Sequence, residues 1–203
     1  MVAVGIVGVL TLLAGFEYTR WQDAEMVKSA ARKVESAFSH ARSEAIRTGN
    51  NHIVFVLTDI AGSTLTNGSG DPVPIIVLDD GRPGSTGQNC LMNSGEPTRI
   101  FTLEDGVGFG PTDATVKSSI DDGLTAFGGA STFAQTGGGA ATWVLFQPDG
   151  TPRSVNGACS LGALGSGGGG IYLSNPERDA AVILTPLGAT RLFSWNGASA
   201  AWN

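Results

Sequence analysis

At 203 residues the chain has room for one domain of ordinary size and an extension. Thirty glycines, only 15% charged residues and few helix formers beyond residue 50 place the second part among strands and loops. The net charge of −6 is uneven: residues 1–48 carry six basic and five acidic side chains, residues 49–203 six and thirteen. Phosphate backbones are held by clustered Lys and Arg, so nucleic acid is not an expected partner of this acidic second part.

Met1 to Phe16 carries no charge, and Val2, Val4, Ile6, Val7, Val9, Leu10, Leu12, Leu13 and Phe16 cover every direction around a helix. Such a helix has to be buried in lipid or among other helices. Sixteen residues reach about 24 Å, a little short of the roughly 30 Å hydrocarbon core of a bilayer. A cleaved signal peptide would need a basic stretch before the run and a small-residue site after it. No Lys or Arg precedes the run and Glu17-Tyr18-Thr19-Arg20-Trp21 follows it, so the segment is expected to stay in the mature protein.

From Ala24 onward Val27, Ala31, Val34, Phe38, Ala41 and Ala45 recur at spacings of four and three, with Lys28, Arg32, Glu35, His40, Arg42 and Glu44 elsewhere. No proline interrupts residues 1–48, and Gly49-Asn50-Asn51 supplies a stop. One helix of about 70 Å is predicted. Residues 24–48 are expected to lie on a head formed by residues 49–203, and residues 1–23 to project.

Strands are predicted at His52–Leu57, Pro74–Leu78, Arg99–Leu103, Thr142–Gln147, Gly170–Leu173, Ala180–Thr185 and Thr190–Trp195, bounded by turns such as Asp79-Asp80-Gly81 and Pro148-Asp149-Gly150. Gly106–Gly139 and Ser160–Gly170 read as long surface loops. Cys90 and Cys159 suggest one disulfide closing a loop of roughly 70 residues, the alternative being two buried thiols.

Several of these stretches resemble the type IV pilin superfamily, and more narrowly minor pseudopilins of the GspH/FimT type. Met1-Val2-Ala3-Val4-Gly5-Ile6-Val7-Gly8-Val9-Leu10 looks like the apolar core of the class III prepilin motif. Ala41-Arg42-Ser43-Glu44-Ala45-Ile46-Arg47-Thr48-Gly49 is similar to the helix end of the narrower family. Phe146-Gln147-Pro148-Asp149-Gly150-Thr151-Pro152 and Ala180-Ala181-Val182-Ile183-Leu184-Thr185-Pro186-Leu187-Gly188 resemble its strand and turn signatures. The leader, cleavage site and glutamate that members carry would fall upstream of Met1, and the proline that bends their helix is missing near Phe16, which implies a straighter helix.

The resemblance implies an α+β fold, a pilin-like long helix on an antiparallel β-rich head. It also implies a structural subunit in a helical filament of identical or related subunits, stored in the bacterial inner membrane and handled by pilus or secretion machinery. Some transformation-linked relatives are implied to bind DNA through a Gly-Arg-x-Arg element; Gly188-Ala189-Thr190-Arg191 keeps only Arg191. A minor tip subunit binding DNA or a surface ligand is the alternative function.

No catalytic, cofactor or metal site is expected. His40 and His52 lie in no metal-type spacing. Gly167–Gly170 and Gly106, Gly108, Gly110 lack the following helix that a phosphate loop needs, and read as flexible turns. Asp79-Asp80 and Asp121-Asp122 are read as solvated turns, against a calcium site of the kind implied for some pseudopilins. Trp195 and Trp202 are expected to lie against the head.

Overall fold

The computed structural model describes side chains for residues 21–56, 75–123, 127–133, 141 and 143–203, and assigns backbone elements at 2–20, 59–60 and 63–64 as well. The expected assembly residues from Val2 to Phe16 therefore lie outside the residues whose side chains are described.

Helix α1 runs unbroken from Val2 to Thr48. It stops at Gly49, whose amide still reaches the Ala45 carbonyl at 3.0 Å, while the Thr48 hydroxyl donates to the Glu44 carbonyl. The strands are β1 His52–Val56, β2 Asp59–Ile60, β3 Ser63–Thr64, β4 Ile75–Asp79, β5 Thr98–Phe101, β6 Gly108–Phe109, β7 Trp143–Phe146, β8 Pro152–Val155, β9 Gly169–Asn175, β10 Arg178–Leu184, β11 Thr190–Asn196 and β12 Ala201–Trp202. Two five-stranded sheets result, ordered β5-β4-β1-β7-β8 and β12-β11-β10-β9-β6, with β2-β3 a separate pair. Every ladder is antiparallel.

This corrects the expected α+β class. Among the described residues strand outweighs helix, 32% to 18%, and the chain is mostly β, with one helix serving two sheets. The physical reason lies in strands that carry weak local signals. β8 opens on a proline, tolerated because it is the first residue of an edge strand. β6 and β12 are two residues long and exist because a neighbouring strand offers them a ladder.

The core is arranged in three layers of side chains. Between the sheets, Val27, Ala31, Val34, Phe38, Ala41 and Ala45 meet Val54, Val56, Ile75, Val77, Val144 and Phe146 of the first sheet and Ile171, Leu173, Val182 and Leu184 of the second. Alternate residues point the other way, as the period of two requires. Ile53, Phe55, Ile76, Leu78, Trp143 and Leu145 form the outer layer of the first sheet, and Tyr172, Ala181 and Ile183 that of the second. The central strands β1, β4, β7, β9 and β10 are thus buried on both faces, and each outer face has its own cover over them.

Over the first sheet lie the segments joined by Cys90 and Cys159, whose disulfide spans a sequence separation of 69 with Cα atoms 5.4 Å apart. Over the second lies part of the Gly-rich middle, including Ile120 and Phe127. The Asp179 carboxylate pins that middle by accepting the backbone N–H groups of Thr112, Asp113 and Ala114.

Candidate functional site

Three of the stretches that carry the family resemblance converge on one corner. β7 and β8 are joined by Gln147-Pro148-Asp149-Gly150-Thr151, β10 and β11 by Thr185-Pro186-Leu187-Gly188-Ala189. The two turns close identically: Gly150 N–H donates to Gln147 O and Gly188 N–H to Thr185 O, both at 2.8 Å, while the outer amides Gln147 and Thr185 reach the Thr151 and Ala189 carbonyls. Proline sets the turn, and glycine takes the left-handed position with φ of 79° and 82°.

The sheets bring these turns together against the end of α1. A Cβ on Gly188 would stand 3.0 Å from the Gly150 carbonyl oxygen, and one on Gly150 would stand 2.8 Å from Ile46 Cδ1. Arg42 lies along the seam and donates from Nη1 to the Gly188 carbonyl at 3.0 Å. Leu187 is 77% exposed and Ile46 55%, so the corner presents apolar side chains outward around a fixed arginine. Each turn was legible by itself; their shared X-Pro-X-Gly-X form was the signal that they act as a pair.

At the other end of the described helix, Asn175 Nδ2 donates to the Asp23 carbonyl at 2.7 Å and fixes β9 to the helix. Beside it a cleft of about 650 Å³ is lined by Trp21, Ala24, Lys28, Arg178 and Ser194 among others, with Trp21 60% exposed. Further along, Glu104 accepts hydrogen bonds from Ser29 and Lys33, which ties the segment after β5 to α1.

Arg191 is exposed on β11, opposite Ile183. The neighbouring Thr190 hydroxyl donates to Glu35 at 3.2 Å, and position 189 of the Gly-Arg-x-Arg pattern is alanine. His40 lies beside Arg99 and the Phe101 ring; its partial burial, then the Arg99 charge, hold the imidazole below its ordinary pKa. His52 opens β1 and is buried, its Nε2 3.9 Å from Asp79. Trp195 and Trp202 pair across β11 and β12, and Trp202 stacks on Tyr172 while its indole donates to the Val116 carbonyl.

Two readings of polar turns are corrected. One member of each aspartate pair is buried rather than solvated, Asp80 at 0% exposed and Asp121 at 4%, while Asp79 is half-buried and Asp122 exposed. Asp121 accepts hydrogen bonds from Tyr172, Thr132 and the Gly123 amide. Burial, then the bond to Asp121, push the Tyr172 phenol up from its usual pKa. Asp80 accepts from the amides of Asn89 and Cys90. The run Gly167–Gly170 is no flexible turn either. Added Cβ atoms would run into Pro152, Pro186, Phe133 and Ile183 in succession, so glycine is there to let β9 enter a crowded interior.

Among the described residues no helix is long and apolar enough to cross a membrane. No family model, no curated protein and no solved structure matches the chain.

Proposed function

We propose that this chain is a structural subunit of a filament of the type IV pilus or type II secretion pseudopilus kind, assembled through the apolar start of α1. The observation that carries this reading is the unbroken helix from Val2 to Thr48, which joins an uncharged run to a stripe already used by the core. A straight helix of that length measures about 70 Å, whereas a compact unit of some 150 residues is roughly 40 Å across. One end therefore has to find apolar surroundings elsewhere, in a bilayer first and among the helices of other subunits afterwards.

Keeping this run out of water is what both surroundings supply, and it needs no cofactor. Each apolar side chain removed from water contributes about 25 cal/mol per Å², and the run from Val2 to Phe16 is apolar on all sides. The exposed Leu187 and Ile46, fixed by Arg42 at the two-turn corner, supply a second contact for a neighbouring subunit. In this reading the chain resides in the bacterial inner membrane before assembly and in a periplasmic or extracellular filament afterwards, with identical or related subunits and assembly machinery as partners.

Charge insertion tests it. Leu10→Lys and Leu13→Lys, introduced in the cells that make the protein, are expected to leave the folded head intact and to remove the chain from the sheared filament fraction. Undiminished incorporation of both variants would overturn the proposal.

A further inference from the structure

The Cys90–Cys159 bond closes against a carboxylate with an unused oxygen. Asp80 follows β4 directly, and its Oδ1 accepts the amides of Asn89 at 3.2 Å and Cys90 at 2.8 Å. Its Oδ2 is buried with no hydrogen-bond partner. A carboxylate oxygen of Asp80 and the two sulfurs lie within 4.8 Å of one another. Leaving a buried carboxyl oxygen unpaired is costly, so a carboxylate in this state beside the two sulfurs calls for a chemical account.

The two cysteines differ in access. Cys90 is buried and Cys159 partly exposed. The thiolate is the nucleophile in disulfide exchange, and burial among apolar groups keeps a thiol protonated. Cys159 can meet an external reagent in solvent, whereas Cys90 needs an internal acceptor for its proton.

We propose that Asp80 is the base that takes the Cys90 proton when the disulfide closes. The Cys159 thiolate first attacks an external disulfide, forming a mixed disulfide and releasing one thiolate. Cys90 then gives its proton to Asp80 Oδ2, and the resulting Cys90 thiolate attacks Cys159 Sγ. The bond from Cys159 to the external sulfur breaks, and that sulfur leaves as the second thiolate. Two protein thiols are oxidised, one external disulfide is reduced to two thiols, and the proton on Asp80 passes to solvent. Reduction runs the same steps backward, with Asp80 returning the proton.

The groups that bear on Asp80 fit this task. Burial, the largest influence, raises its pKa; the amides of Cys90 and Asn89 oppose that, and the Glu96 and Asp79 charges add to it, leaving the carboxyl at about 6. A base poised near the working pH accepts and returns a proton with comparable ease. His52 Nε2 stands 3.9 Å from Asp79.

The test uses the full chain, reduced under native conditions and treated with oxidised glutathione as the external disulfide, with acid quenching and mass spectrometry to separate mixed disulfide from closed ring. Closure is expected to accelerate as pH rises through the titration of Asp80 and then to level off. Asp80→Asn, whose amide oxygen can still accept the Asn89 and Cys90 amides, should slow closure at pH 7 by about a hundredfold and abolish that inflection. Asp80→Glu should restore part of both. Wild-type closure by Asp80→Asn, or slower closure with the inflection intact, would overturn the proposal. A reduced chain that loses its near-ultraviolet circular dichroism would overturn it too, because Asp80 would then stand beside Cys90 only after the bond had formed.

Discussion

The covers on the two outer sheet faces solve one problem by different means. Each hides an apolar layer, Phe55, Trp143 and Leu145 on the first sheet and Tyr172, Ala181 and Ile183 on the second, and each contains a buried aspartate. Over the second sheet Asp121 has partners on both oxygens, and these partners join two parts of the cover, Gly123 and Thr132, to Tyr172 of the covered layer. Over the first, Asp80 has partners on one oxygen only, and a covalent bond ties the cover together. A complete hydrogen-bond network holds one lid, and a cross-link holds the other above an incompletely satisfied carboxylate.

The largest expected effect comes from removing the cross-link. Replacing both Cys90 and Cys159 by serine should cost about 4 kcal/mol in denaturant unfolding, since the closed loop is long. Hydrogen exchange should speed up at residues 81–97 and 156–161 while residues 110–123 keep their protection. Equal loosening of both covers would break the distinction between them.

Asp121→Ala attacks the other cover. It strands the Tyr172 hydroxyl, the Thr132 hydroxyl and the Gly123 amide together, and should cost about 3 kcal/mol. Tyr172→Phe is milder, removing one partner of Asp121 and the acceptor of the Ser118 amide, for about 1.5 kcal/mol by the same measurement. A Tyr172→Phe loss equal to that of Asp121→Ala would show that the network is not shared among its members.

A further effect is one of pH. The Asp80 carboxyl is raised in the folded chain from 3.8 to about 6, so folding takes up a proton between those values. Its contribution to stability is fully present below about 4 and is lost as pH rises through 6. Subtracting the Asp80→Asn stability profile from the wild-type profile should isolate this slope, and a flat difference would contradict it.

How much of this could be read from the chain differs by kind of signal. The stripe from Val27 to Ala45 is a local pattern, and it is the face that the sheets bury. The seven predicted strands correspond to β1, β4, β5, β7, β9, β10 and β11 with shifted ends. The fold class was not legible, because β6, β8 and β12 depend on neighbours rather than on their own residues. The sequence does carry one signal of this: Ile53-Val54-Phe55-Val56, Ile75-Ile76-Val77-Leu78 and Ala180-Ala181-Val182-Ile183-Leu184 are continuous apolar runs, the mark of strands buried on both faces. Such runs require covers, and the Gly-rich middle supplies one of them.

The candidate site divides in the same way. The cysteine pair was legible from number and context. Asp80 and Asp121 were not, since adjacent aspartates look like turns until Cys90 and Tyr172, ten and about fifty residues away, are brought to them. The corner of Arg42, Gly150 and Gly188 rests on contacts across more than a hundred residues, although both turns show their form in the sequence.

The most direct test of the filament reading is electron microscopy of filaments sheared from cells that express the protein, with the subunit identified by mass spectrometry. The account predicts helical filaments containing this chain, with axial density assignable to the start of α1 and the corner of Leu187 and Ile46 at a subunit contact. A folded, monomeric protein recovered only outside any filament, under conditions where filaments form, would contradict it.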